Sequence, residues 1–242
     1  MNTTGHAMPY DELVARADLL REHVAAAATR SGRQPDDVRI MAVTKTIPPT
    51  TIQAAYDAGF RLFGENRVQE AQSKFPLLAM PDAIWELIGH LQTNKAARAV
   101  QLFSRVQSVD SLHLAQALDR RAGEQGKRLP VLLEVNVGGE ESKSGFAPEE
   151  LLSAAQAITR LPHLEPQGLM TIAPMARDPQ DVRPMFRRLR ELRDMLRERV
   201  PVNGTADWAE LSMGMTDDYA VAIEEGSTLI RVGRGLFGAR QV

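Results

Sequence analysis

The chain has 242 residues, no cysteine, and 29 basic against 31 acidic residues for a formal net charge of −2. Lack of cysteine excludes a disulfide scaffold, a thiolate metal site and a cysteine nucleophile. Near-neutral charge argues against a general nucleic-acid binder. No apolar run approaches the roughly 18 residues of a membrane span. The first twenty residues lack the basic start and apolar run of a signal peptide, so a cytoplasmic protein is expected.

Residues 1–8 read as a disordered tail and 9–242 as one domain. From Pro9, Leu13, Ala17, Leu20 and Val24 recur at helical spacing, and Ala25–Ala28 continue the helix to Ser31-Gly32. A strand follows over 38–43, then a helix over 50–58, opened by Pro48-Pro49 and closed by Gly59. The cycle repeats with strands predicted at 60–64, 83–88, 103–108, 131–137, 164–170, 210–212 and 228–232. The intervening helices are predicted at 65–75, 93–101, 111–124, 148–159, 181–199 and 217–225. A Gly-rich loop, 138–146, follows the fifth strand.

Eight strands alternating with helices predict a parallel sheet. Their size matches a (β/α)8 TIM barrel with an extra N-terminal helix. A doubly wound open sheet is the rival, weakened because no GxGxxG follows the first strand.

Barrel chemistry sits at the C-terminal ends of strands. That rule nominates Lys45, Glu65-Asn66, Gly89-His90, Asn136, Thr171, Ser212 and Gly233. A lysine at an apolar barrel mouth has its ammonium disfavoured, and a neutral amine condenses with carbonyls. A solvated strand-end lysine is the plainer alternative. Leu211 to Asp218 place Ser212, Gly214 and Met215 ahead of a helix, where a hydroxyl and backbone amides suit a phosphate. Helix capping alone also explains that segment. Gly233, Arg234 and Gly235 end the last strand, so two anion cradles become neighbours in a barrel. Arg231 lies within an apolar strand and needs a partner, either a ligand or an acid such as Glu134. His90 is a candidate acid or base. The remaining histidines show no ligand spacing, so no metal site is expected. The charged loop at 140–145 closes over a site or is simply solvated. The arginines of helix 181–199 read as a solvated outer face, with an anionic or RNA surface as the alternative.

These residues carry a family resemblance. Ala42-Val43-Thr44-Lys45, Phe63 to Glu70, Ile88 to Lys95, Val106 to Asp110, Glu134-Val135-Asn136, Glu140 to Gly145, Gly168 to Thr171, Leu211 to Met215 and Arg231 to Gly238 occur in one order. Together they resemble the YggS/PROSC-like pyridoxal phosphate (PLP) homeostasis proteins from about residue 10 onward. The resemblance implies a fold-type III PLP barrel like the N-terminal domain of alanine racemase. It implies a Schiff base on Lys45, and a phosphate held by Ser212 with amides around Gly214, Met215, Gly233 and Arg234. It implies Arg231 at the pyridine nitrogen, with Asn66 and His90 lining the pocket. Two positions depart from the family: Arg67 where Tyr is common, and Arg234 where Thr is common. The second removes a hydroxyl but keeps an amide.

The reading is therefore a PLP-binding homeostasis protein, not an enzyme, working as a monomer with PLP-dependent apoenzymes as possible recipients. A PLP-dependent amino-acid racemase ranks second. Tyr10, Tyr56 and Tyr219 all fall in helical segments, leaving no tyrosine base at a strand end, and the length leaves no room for the racemase β domain. A partner-binding barrel using the Arg helix ranks third.

Overall fold

The computed structural model describes residues 8–140, 144–201 and 207–238. Helix α1 (Tyr10–Arg30) precedes the repeats. They run β1 (Arg39–Val43), α2 (Pro49–Asp57), β2 (Leu62–Glu65), α3 (Val68–Lys74), β3 (Ile84–Leu87), α4 (Ala96–Leu102), β4 (Arg105–Val109) and α5 (Leu112–Glu124). They continue with β5 (Leu129–Glu134), α6 (Leu151–Ile158), β6 (Leu164–Met170), α7 (Arg183–Arg199), β7 (Glu210–Ser212), α8 (Tyr219–Glu224), β8 (Leu229–Val232) and α9 (Arg234–Phe237). The eight strands lie in chain order and the sheet closes through parallel β1–β8 pairing, with Met41 opposite Arg231. This is the expected (β/α)8 barrel with its leading helix.

Strand parity sorts the side chains, because successive residues alternate between the helices and the barrel interior. Ala42, Phe63, Ile230 and Val232 pack outward with Leu13, Ala17, Ile52 and Leu236. Thus α1 covers the β8–β1 side, its apolar stripe closed over by Ile223 and Phe237. Val106, Leu133, Leu169 and Leu211 pack outward into the larger cluster with Leu118, Ile158 and Phe186. The inward residues Met41, Val43, Leu62, Ile88 and Leu229 form a small separate cluster. Leu132 and Met170, also fully buried, share that inward parity, and polar side chains fill other parts of the interior, as described below.

Several boundaries differ from the sequence reading. Strand β5 stops at Glu134, because the chain folds back: Phe146 N–H donates to the Glu134 carbonyl and Asn136 N–H to the Phe146 carbonyl. Glu65 ends β2 rather than beginning a helix, so α3 starts at Val68. The helices read from 93 and 181 begin as 3₁₀ turns at Thr93–Lys95 and Pro179–Val182. Gly233 to Gly238, read as ending the last strand, contains α9. Ser111 caps α5 as expected, accepting from Leu114 N–H at 3.2 Å. The tail read at 1–8 lies outside the described residues, apart from Met8, which packs against the α1 cluster. Part of the charged loop, 141–143, also lies outside them.

The arginines of α7 are not merely a solvated face. Arg183, Arg187 and Arg190 converge on Glu225, and Arg197 pairs with Asp207 at 2.6 Å. They tie α7 to the end of α8 and to the segment entering β7. Among the described residues, no helix is long and apolar enough to cross a membrane, and no acid–histidine group is arranged to hold a metal.

Candidate functional site

A cavity of about 590 Å³ opens at the C-terminal mouth of the barrel. Lys45, Asn66, His90, Glu134, Asn136, Thr216, Arg231 and Gly233 are among its lining residues. Parity explains this list. Val43 points inward and Thr44 outward, so Lys45 turns back to the mouth. The same alternation brings Asn66, His90, Glu134 and Asn136 to the mouth from β2, β3 and β5.

Lys45 sits on a braced segment. The half-buried lysine lies between Thr44, which is fully buried, and Thr46, whose φ of 64° is left-handed. A β-branched residue at positive φ is strained and needs support. Support comes from α3. Lys74 Nζ donates to the Thr44 carbonyl at 2.7 Å, Glu65 Oε1 at 2.9 Å and Glu70 Oε1 at 2.6 Å. Thr44 Oγ1 donates to Glu65 Oε1 at 2.6 Å, and Thr46 N–H donates to Glu70 Oε1 at 2.5 Å. Burial pushes the Glu65 carboxyl up against its bonds from Thr44 and Lys74. Burial also opposes ionisation of Glu70, but bonds from Lys74 and Thr46 win and hold its carboxyl down. Both residues flanking Lys45 are therefore fixed by one ammonium and two carboxyls.

Arg231 supplies a buried cation at the cavity floor, 4% exposed. Its Nη1 donates to Ser212 Oγ at 2.6 Å and its Nη2 to the Thr171 carbonyl at 2.7 Å. Ser212 in turn donates to Gln107 Oε1 at 2.6 Å, and Gln107 Nε2 donates to Glu86 Oε2 at 2.5 Å. Arg105 Nε completes the chain by donating to Glu86 Oε2 at 2.9 Å. Burial lowers Arg231 to about 10, while Asp218 and Glu134 oppose that through space. At neutral pH the guanidinium stays charged. Of the two partners the sequence left open, a ligand or an acid such as Glu134, the acid is not bonded: among the described residues Arg231 donates to a hydroxyl and a carbonyl.

The anion side lies where β7 and β8 end. Gly214 adopts φ 95°, and a Cβ there would meet Ala222 Cβ at 2.6 Å, so glycine is required. Met215 N–H is already donated to Asp218 Oδ1 at 2.6 Å. Within the described residues, the amides of Thr216, Gly233 and Arg234 make no hydrogen bond. Thr216 Oγ1 accepts from Gly235 N–H at 3.1 Å and keeps its own proton to donate. The Arg234 side chain pairs with Asp217, and both line the cavity. The available donors are thus three amides and one hydroxyl, a concave set suited to an anion.

On the opposite wall, His90 Nδ1 bonds Asp110 Oδ2 at 2.8 Å with the ring largely exposed. Glu134, 7% exposed, is raised to about 7 by burial and then by Asp110, against Arg231 and His90. Ile172, Pro174, Met175 and Val182 form an apolar rim beside it.

The structure thus gathers Lys45, Asn66, His90, Met215, Arg231, Gly233 and Arg234 on one cavity. Four nominated residues do not line it, among them Glu65, which accepts from Thr44 and Lys74, and Thr171, whose hydroxyl donates to the Val135 carbonyl. Ser212 is fully buried one layer deeper, its hydroxyl committed to Gln107 and Arg231, and Gly214 lies behind Met215. Thr216 escaped the sequence reading, although it follows Met215 in the quoted motif and brings a hydroxyl to the mouth beside Gly233 and Arg234. The Glu65–Glu70–Lys74 brace and Gln107 were also missed. Glu70 and Lys74 are spaced i, i+4 on a helix, a signal that reads equally well as a surface pair.

A closed parallel barrel with an amine, a buried cation and free amides on one mouth defines a class: a (β/α)8 protein shaped for a small anionic ligand. The alanine racemase N-terminal domain family matches residues 16–241. The pyridoxal phosphate homeostasis protein of Aquifex aeolicus is 42% identical over 226 residues, covering 93% of this chain and 97% of that protein. PipY of Synechococcus elongatus, solved with PLP bound, superposes with a TM-score of 0.81 at 36% identity, covering 93% of this chain and 100% of PipY. Alanine racemase of Clostridium difficile shares the fold alone: TM-score 0.72, 15% identity, covering 96% of this chain and 57% of the racemase. The chain belongs to the pyridoxal phosphate homeostasis protein family, within the alanine racemase N-terminal domain class.

Proposed function

We propose that this protein binds pyridoxal 5'-phosphate at the barrel mouth with Lys45 as covalent anchor, and serves cytoplasmic PLP homeostasis rather than catalysis. The observation that carries the reading is the coincidence of three features on one cavity: Lys45, the buried Arg231 cation, and the unbonded donors of Thr216, Gly233 and Arg234. PLP needs an amine, a group facing its ring nitrogen and a phosphate anchor. The residues present fit all three. When bound, PLP supplies an aldehyde that a primary amine attacks.

Each residue then has a role. The brace from Lys74, Glu65 and Glu70 holds the Lys45 segment in its strained turn. Thr216 Oγ1 and the amides of residues 216, 233 and 234 receive the phosphate, with Gly233 allowing close approach. Arg231, held by neutral partners, presents its charge to the ring nitrogen and disfavours a proton there. Asn66 and His90 flank the ring, and the Asp110 bond orients the imidazole.

The racemase reading is weaker because no tyrosine lines the cavity. Tyr56 bonds Asp82, and Tyr219 approaches His23 at 3.3 Å, both on the outer helices. The relatives' name also favours a homeostasis role. The same reading takes the chain as one domain acting as a monomer, with PLP-dependent apoenzymes as recipients. Borohydride reduction of PLP-loaded protein, followed by peptide mapping, tests it. Label on Lys45, absent from Lys45→Ala, is expected. Label elsewhere overturns the anchor. D-isomer formation from a single L-amino acid at roughly 1 s⁻¹ or faster, an ordinary enzyme turnover, overturns the non-enzymatic assignment.

A further inference from the structure

One buried side chain in the cavity has no task in that scheme. Glu134 ends β5 with inward parity, is 7% exposed and lines the cavity wall. No described residue gives its carboxyl a hydrogen bond or an ion pair. The two basic side chains that act on it through space are engaged elsewhere: Arg231 with Ser212 and the Thr171 carbonyl, and His90 with Asp110 at 2.8 Å. Two residues on, Asn136 donates its Nδ2 to the Glu140 carbonyl, leaving a buried Oδ1 without a partner. Among the described residues, neither the Glu134 carboxyl nor the Asn136 Oδ1 on this wall receives a hydrogen bond. A buried acceptor without a donor costs free energy, so the pattern calls for a donor-rich ligand.

We propose that the half of the cavity between Glu134 and the apolar side chains of Ile172, Pro174, Met175 and Val182 is a subsite for a primary amine on an apolar stem, as in a lysine side chain. The proposal rests on PLP being held at Lys45, since an acceptor amine for the aldehyde must enter the same cavity. An ammonium brings three donors and no acceptor, which matches Glu134 and the Asn136 oxygen. A methylene stem lies naturally along Ile172, Pro174, Met175 and Val182. A free α-amino acid fits worse. Its carboxylate would sit beside Glu134 and Asp110, whose like charge opposes it, and His90 is already held by Asp110. The chemistry thus favours an amine without a neighbouring carboxylate, the form a lysine takes within a polypeptide.

The test uses protein loaded with PLP and fixed by borohydride, so that no exchange chemistry occurs. Peptide mapping of this material first reports whether PLP is on Lys45, separately from amine binding. Calorimetry at pH 8 then compares Nα-acetyl-L-lysine-N-methylamide, its norleucine analogue lacking the side-chain amine, and free L-norleucine. The lysine derivative is expected to bind at least about tenfold more tightly than either, as one hydrogen bond to a charged group dictates. Glu134→Gln, which keeps the side-chain shape, is expected to abolish that preference while leaving the Lys45 label in place. Equal binding of the amine-free analogue, equal binding of free norleucine, or unchanged binding by Glu134→Gln each overturns the subsite.

Discussion

Replacing Glu134 by glutamine should stabilise the ligand-free protein at alkaline pH, by an amount set by the burial of this carboxyl. Burial and the nearby Asp110 raise it from the ordinary 4.5 to about 7 in the folded protein. An acid raised on folding is most favourable to the native state below its unfolded value and loses that contribution as pH rises through the folded value. Between pH 4.5 and pH 7 the gap amounts to roughly 3 kcal/mol at about 1.4 kcal/mol per pH unit. Above pH 7 the wild type therefore carries an ionised, buried carboxylate that the Glu134→Gln variant lacks. For a chain of this size about 1 kcal/mol moves the melting temperature by about 2–4 °C. Melting of the ligand-free protein should show the variant gaining on wild type by roughly 6–12 °C between pH 4.5 and pH 8.5. Acids that do not interact with residue 134 titrate in both proteins alike, so the difference reports that carboxyl together with its coupling to Asp110 and His90. A constant gap across that range refutes the reasoning, because the carboxyl would then titrate equally in the folded and unfolded states.

Lys74→Met should lower the melting temperature by roughly 6–20 °C, since removing one partner of a buried ion pair costs about 3–5 kcal/mol. PLP retention should fall with it as the Thr44–Thr46 segment loosens, measured by equilibrium dialysis. A melting temperature within about 2 °C of wild type, roughly 1 kcal/mol at most, would show that the brace is dispensable. Thr216→Ala should weaken inorganic phosphate competition against PLP by about tenfold, the loss of one hydrogen bond to a charged group. Ser212→Ala should leave phosphate competition unchanged and instead shift the absorbance of bound PLP, because Ser212 acts on Arg231. The reverse pattern would return the phosphate role to Ser212. Arg234→Ala should change PLP affinity by about twofold or less, because its backbone donor survives and its exposed pair with Asp217 contributes little.

The barrel was legible because each βα unit carries its own local signals: apolar runs of strand length, glycine stops and helical stripes. The mouth residues Lys45, Asn66 and His90 followed from one rule, that barrel chemistry lies at strand ends, whereas Arg231 stood out as a cation inside an apolar strand. That rule misplaced Ser212 for a physical reason. Strand β7 has only three residues, and the closing register sets Ser212 opposite Leu229, a barrel-interior residue. Its hydroxyl therefore lies below the mouth, while the chain continues upward to Thr216. A strand end in sequence is not a fixed height in a staggered barrel. The missed Gln107 contact joins residues far apart in sequence. Ser212 and Gln107 are 105 positions apart, and only closure of the sheet makes them neighbours.

That long-range chain also explains how a full positive charge is kept beneath the cavity. A carboxylate bonded directly to Arg231 would satisfy it within the protein and leave little field for a ligand. Here the direct partners are a hydroxyl and a carbonyl, and the nearest bonded carboxylate, Glu86, acts two side chains away through Gln107. Gln107 must offer its oxygen to Ser212 because its nitrogen is taken by Glu86, so Ser212 must turn its lone pairs to Arg231. The polarity of the whole row is thus set by Glu86. Glu86→Gln removes that constraint, because an amide can donate to Gln107 as well as accept from it. The Gln107 amide is then free to turn, and Arg231 loses its fixed direction. The expected result is an altered spectrum of bound PLP with the Lys45 label intact. An unchanged spectrum in a folded Glu86→Gln variant would mean that Arg231 is oriented by the Thr171 carbonyl alone.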